Sequence, residues 1–418
     1  GEVAASQDYP NFRPTLDLNF ASTKKLDPRI TYSRIGPASF VNEFGKVVLV
    51  GDNVPRFDYG YEYVNANSSK FSKGEIKGLL IEEERTNLVG YSIYNGDKSG
   101  TAQTSSGNIG NWSLTLGNAT FTGGIDAPDG SNDAVRFTHL NTGFALFRIP
   151  IPAFTANGSD TYTLSFYARG VSGTGNITCD LNDNQPSLGS WNQNMITNEW
   201  VRIVVTNVPS SGSKSFIDIM SNSNNNRVFD IWGVQLEKGL FATSFIPTRD
   251  GLAATRGGDL AEIDGEDFTD FFNQTEGTIN CAYWLGNDNS GMRVFQINDS
   301  NNSVIDIVAG SGSGAGGYGY VSTGGVAQAN GGQSSTNANY LNKLHVVTLA
   351  YKENDIAGIN KNTGVVTNDT SATLHGGYDH LSFYQRSGEG NQLNGHLQRV
   401  QYYPKRLPDN QLKNINNQ

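Results

Sequence analysis

The sequence predicts an all-β protein built from tandem β-sandwiches, and three observations carry that expectation. Apolar and polar residues alternate at period two through many short runs. Helical periodicity is nearly absent. The composition sets 49 glycines against only 17% charged residues, the balance of a loop-rich β protein whose surface is polar without being ionic. At 418 residues the chain exceeds the size at which single cores stop growing, about 250 residues, so two or three cores are expected.

The run "TYTLSFYAR" (161–169) sends Tyr162, Leu164, Phe166 and Ala168 to one face and Thr161, Thr163, Ser165 and Arg169 to the other. That is the signature of a half-buried antiparallel strand. "WVRIVVTNV" (200–208), "SFIDIM" (215–220), "MRVFQI" (292–297), "LHVVTLAY" (344–351), "HLSFYQR" (380–386) and "LQRVQYY" (397–403) read alike, punctuated by Gly, Asn, Ser and Pro clusters. Many short strands at this spacing mean sandwiches or barrels. The one helix expected is "LPDNQLKNI" (407–415), with Pro408 in its first turn and Asp409 placing negative charge at its N-terminus. Two seams divide the chain: "TRDGLAATRGGD" (248–259), a polar linker, and a softer one near 86–95. Residues 309–339 form a Gly/Ser/Asn-rich stretch too poor in apolar residues for a core of its own, so a long hairpin or loop is expected there.

Charge and cysteine content exclude several classes of function. A net charge of −10 without any Lys/Arg block repels phosphate backbones, so nucleic acid is not an expected partner. Cys179 and Cys281 are too few for a disulfide scaffold and lack the neighbours of a zinc site; both read as small core residues, with a single bridge between them left open. No stretch approaches the ~18 apolar residues of a membrane span. The N-terminus has neither a basic region nor an apolar one, and its lack of Met suggests trimming or truncation.

Four groups of residues invite a chemical role. In "LLIEEERTN", alternation separates Glu82 and Glu84 from Glu83 and Arg85, so the acids cannot converge on one atom; they read as a strand end, with Arg85 pairing to an acid or to carbonyls. The acids Glu262, Asp264 and Glu266 of "EIDGE" stand at alternate positions, which on one strand would line a glycosidase face. Gly265 weakens such a strand, so a solvated turn is the plainer expectation. Trp112, Trp191, Tyr318 and Tyr320 lie in or beside polar, Gly/Asn-rich stretches and are the candidates for stacking on a sugar, core or edge packing being the alternative for the tryptophans. For Tyr318 and Tyr320 the alternative is ordering of the Gly-rich stretch against a neighbouring subunit. Trp200, Trp232 and Trp284 sit within apolar runs and read as core. The five histidines are scattered, without the spacing of a metal site or triad.

Longer motifs carry a resemblance. "LDLNFASTKKLDPRITYSRIGPASFVNEFGKVVLVGDNVPRFDY" (16–59) followed by "GLLIEEERTNLVGYS" (78–92) resembles a leader module of tailed-phage virion proteins. "APDGSNDAVRF" (127–137), "EWVRIVV" (199–205) and "FDIWGVQLEKGLFATSFIPT" (229–248) resemble the carbohydrate-binding-module jelly roll that follows it. "GEDFTDFFNQTEGTI" (265–279) and "GHLQRVQYYPKRLPDNQL" (395–412) resemble the concanavalin-A-like, or laminin-G-like, sandwich of the same proteins. The implied organisation is a leader over 1–95, a jelly roll over 96–248 and a concanavalin-A-like sandwich over 249–418, with the Gly-rich insertion at 309–339. What the resemblance implies is a non-catalytic structural protein displayed on the phage particle, as tail fibre or surface appendage. Its implied partners are other virion proteins and a host-surface polysaccharide, in a homo-oligomer with a trimer favoured. The alternatives are a capsid or tail decoration without glycan binding and a polysaccharide-degrading glycosidase. No cofactor is required, although jelly rolls of this type often hold a structural calcium ion, for which Asp129, Asp133 and Asp230 are the oxygen donors in the matching segments. Asp129, in "PDG", reads equally as a turn residue.

Overall fold

A computed structural model describes residues 8–418 except 66–67, 73, 105–106, 116–118, 140–143, 174–175, 182–189, 193–197, 223–226, 288–290, 300–301, 310–315, 333–339 and 386–390. The chain is all-β, folded as two sandwiches with antiparallel sheets.

The first sandwich packs a six-stranded sheet on a seven-stranded one. The six-stranded sheet is centred on Phe144–Ala156 and Gly212–Asn222, the other on Arg227–Lys238 and Tyr162–Ser172. Between them lies an aromatic core that includes Trp112, Phe121, Phe137, Phe147 and Phe229. The second sandwich opposes an eight-stranded sheet, built around Glu276–Leu285 and Gly395–Tyr403, to a seven-stranded sheet running Thr31–Ser33, Leu260–Asp264, His380–Ser382, Met292–Asn298, Val304–Ala309, Tyr318–Thr323, Val326–Gly331. Alternation brings Ile279, Cys281, Ile297, Ile305, Leu349 and Tyr402 into its core. Cys179 and Cys281 are free thiols buried in the two separate cores, and burial pushes the Cys179 thiol up to about 12.

The leader does not stand as a module of its own. Leu16–Asn19 pairs with Gly395–Tyr403, and Thr31–Ser33 with Leu260–Asp264. Gly78–Ile81 joins the far end of Gly395–Tyr403, while Ser68–Phe71 extends the jelly roll beside Val201–Asn207. Strands of three to five residues bury too little apolar surface to hold a sheet alone, and here they complete the edges of two larger ones. The leader hairpin Ala38–Val41/Val47–Val50 and its neighbours cover the outer face of the jelly roll through Val41, Val47, Tyr59 and Phe71, packed with Tyr167, Trp232 and Phe245. For that reason Tyr162–Ser172 is buried on both faces, not half-buried as its alternation predicts. Ser165 accepts from Arg202 Nη2 at 3.0 Å, and Tyr167 meets Tyr61 hydroxyl to hydroxyl at 2.6 Å.

The expected terminal helix is present as Asp409–Asn416, with Pro408 just before its first turn and accepting the Leu412 amide through its carbonyl, and with Leu412 and Ile415 against Ala357 and Tyr403. A short helix, Gly265–Thr269, was not expected. The Gly-rich insertion contains a true hairpin, Tyr318–Thr323 and Val326–Gly331, turned through Gly324 and Gly325 at φ 57° and 79°. Its far end closes on the opposite sheet, where a Cβ on Gly358 would lie 2.3 Å from the carbonyl carbon of Gly331.

Candidate functional site

Strand register places a patch of polar side chains on the outer face of the second sandwich. Gln296 pairs with Asp306, and Asp306 with Tyr320. An irregularity between Arg293 and Phe295 turns both Val294 and Phe295 into the core and leaves Arg293, Gln296 and Asn298 outward. These side chains, with Asp299, Ser322 and Gln385, line a groove of about 560 Å³. Tyr318 stands on the same face, two residues from Tyr320 along one strand.

Asp306 is the electrostatic centre of the groove. It is fully buried, ion-paired through Oδ2 to Arg293 Nε at 2.9 Å and approached on the same oxygen by Gln296 Nε2 at 3.4 Å. Asn298 Nδ2 donates in turn to Gln296 Oε1 at 3.2 Å. The other oxygen, Oδ1, meets no donor among the described residues. Burial raises the Asp306 carboxyl to about 7 against the opposing pull of Arg293 and Gln296. At the groove's end Asp299 accepts from the Ser303 amide at 2.9 Å and pairs with His375 at 3.2 Å. The groove can therefore offer an aromatic ring and amide donors and acceptors over one buried, unfilled carboxylate oxygen, a set suited to hydroxyl-bearing ligands.

Of the residues singled out in the sequence, Tyr320 lines this groove and Tyr318 stands beside it. Trp112 does neither: it is 1% exposed, stacked on Phe147 in the jelly-roll core, with its Nε1 donating to Tyr91 O at 3.0 Å, so its expected role as a sugar platform is corrected to core. Trp191 lies on the strand Ser190–Asn192, and its side chain is outside the described residues. Trp232 is core as expected, but Trp200 and Trp284 are half-buried and lie under Arg169 and Lys77.

Nor do the three aspartates assemble a calcium site. Asp129 accepts from Ser131 within its turn. Asp133 pairs with Lys98 and Arg249, and Asp230 with Arg136 and Arg169. Each carboxylate already has its own partners, and among the described residues no group of three acids, histidines or cysteines could hold a metal ion.

The "EIDGE" acids diverge. The strand ends at Asp264, Gly265 turns at φ 58° into a helix, and Asp264 and Glu266 are exposed. Glu262 is held rather than solvated, accepting from Tyr384 Oη at 2.6 Å and lying 3.0 Å from His380 Nε2. Glu262 and Asp306 share one outer face, yet the strands His380–Ser382 and Met292–Asn298 lie between theirs. Three strand spacings make roughly 14 Å, beyond the about 5–9.5 Å between paired glycosidase carboxylates.

The cluster at Glu82 is architectural, as its alternation predicts. Glu82 is paired with Arg56 at 2.8 Å and Arg256 at 2.9 Å and accepts from the Ser244 amide at 2.8 Å. Asp259 binds Arg56 at 2.5 Å and the Glu82 amide at 2.8 Å, so one buried network ties the leader to the ends of both sandwiches. Arg85 pairs with Glu83 at 2.5 Å and donates to the Lys238 carbonyl. Sequence reasoning missed Asp306, Arg293, Gln296 and Asn298; the available signal was an acid between two isoleucines in "VIDIVA", a polar residue at an outward strand position.

No family model matches the chain, and no curated protein is significantly similar to it. Among solved structures it is similar to the CBM40 of the Ruminococcus gnavus IT-sialidase, bound to α2,3-sialyllactose, at 14% identity over 34% of this chain and 83% of that one, with a TM-score of 0.29. It is also similar to the N-terminal CBM22 tandem of Paenibacillus barcinonensis Xyn10C, at 8% identity over 74% and 99% of the two chains and a TM-score of 0.25. The tripod from the baseplate of bacteriophage Tuc2009 aligns at 9% identity over 83% and 100%, with a TM-score of 0.24. Similarity at this level identifies no family for the chain and assigns it no ligand.

Proposed function

We propose that this chain is a non-catalytic structural protein displayed on the surface of a phage particle, as tail fibre or appendage, and that it adheres to host-surface polysaccharide through the groove on its C-terminal sandwich. The groove carries the adhesion half of this reading: a half-buried tyrosine above a row of amides and a carboxylate is a surface made for sugar hydroxyls. The virion half rests on the ordered leader, jelly-roll and sandwich motifs of the sequence. A weak single site suffices, because copies in a symmetric oligomer, with a trimer favoured, raise effective concentration. The divergence of Glu262, Asp264 and Glu266 supports adhesion without hydrolysis.

Two measurements test the reading. Labelled antibody against this chain should decorate intact particles in electron micrographs, and the purified protein should bind host cells without releasing oligosaccharide. Undecorated particles would remove the virion assignment; released sugar that disappears in Glu262→Gln would replace adhesion with hydrolysis.

A further inference from the structure

Resting on the adhesion reading, we infer that the groove selects a neutral pyranose, with Asp306 accepting sugar hydroxyls and Tyr320 covering one face of the ring, and that it rejects acidic sugars. Charge argues for a neutral ligand. Arg293 is the cation among the groove's described lining residues, and Asp306 neutralises it once ionised. The chain as a whole carries a net charge of −10, so a uronate or sialate would meet repulsion at long range and, among the described lining residues, no cation beyond Arg293 on arrival.

Geometry argues for hydroxyls. A buried carboxylate is an acceptor only, and one left unfilled costs about 1–3 kcal/mol. Asp306 Oδ1 is such an acceptor, on a strand position flanked by Gln296 on one side and Tyr320 on the other, with Arg293 reaching across to Oδ2. Oδ1 is itself closed to solvent, so a hydroxyl reaches it where the half-buried Arg293 and Tyr320 side chains part, and there it donates to Oδ1 and relieves the deficit.

The groups near Asp306 are Arg293 and Gln296 from one neighbouring strand, Tyr318 and Tyr320 from the other, and Tyr378 from a connecting segment, with Asp299 and its partner His375 farther along the same groove. The ionised carboxylate is the better acceptor. Binding therefore tightens as pH rises through about 7, where the burial-raised carboxyl loses its proton.

The experiment uses the full chain, with dextran and galactan as neutral probes, polygalacturonate as the acidic one, and a broad glycan array. A neutral probe should bind, with affinity falling between pH 8 and pH 5.5. Asp306→Asn and Tyr320→Ala should each weaken binding about tenfold or more, and Asp306→Asn should abolish the pH dependence. Thermal unfolding of Asp306→Asn at pH 8 checks that the variant is folded. Preference for polygalacturonate, or glycan binding that both variants leave unchanged, would overturn the inference while adhesion stands. Silence on every probe, the array and host cells would overturn adhesion itself.

Discussion

Glu82 and Asp306 are both buried carboxylates, and their surroundings push them in opposite directions. Burial alone would raise Glu82, but Arg256 and Arg56 outweigh it and hold the carboxyl well below the usual range. A depressed folded value means stability that is present above the unfolded value near 4.5 and is lost as pH falls through the folded one. Urea midpoints should accordingly decline below about pH 4.5. Glu82→Gln, which strands two buried arginines, should lower stability by about 3–5 kcal/mol at neutral pH. Asp306 behaves inversely. Its folded value, about 7, exceeds the unfolded 3.8, so between those limits the folded state binds more protons and stability falls as pH rises. Asp306→Asn should then raise the melting temperature at pH 8 and leave it nearly unchanged at pH 4. A carboxylate whose replacement stabilises the fold while weakening glycan binding has a functional reason to be there.

At the scale of elements, alternation located the seven runs read as strands to within a few residues, and the terminal helix was legible from Pro408 and Asp409. What alternation could not give was the second face. Tyr167 alternates outward in the sequence, yet the leader's Tyr61 and Phe71 cover it. The hairpin at 318–331, one of the two readings the Gly-rich stretch allowed, shows the same limit, since nothing local says that Gly331 and Gly358 let two sheets touch. Gly358→Val should force that contact apart and destabilise by roughly 1–3 kcal/mol, read as a lowered melting temperature with the strand signature retained in circular dichroism.

At the scale of the molecule, the expected leader is not a body separable from the two sandwiches. The leader donates edge strands to both sandwiches, and the Glu82–Arg256–Asp259 network locks the place where they meet. A jelly roll expressed as residues 96–248 alone would expose Tyr167, Trp232 and Phe245, which the leader now covers. Such a fragment should bind the dye ANS and aggregate, whereas residues 8–418 should not. A soluble, dye-silent fragment would show that the leader contributes little to the jelly roll's stability.

By itself the sequence determined the fold class, the period-two elements, the architectural nature of Glu82 to Arg85 and the candidacy of Tyr318 and Tyr320, because these follow from local alternation and residue chemistry. Only the tertiary structure decided that Trp112 is core, that the leader is shared between sandwiches, and that Asp306 meets Tyr320. The physical reason is register: hydrogen bonds between strands distant in sequence choose which side chains face one another.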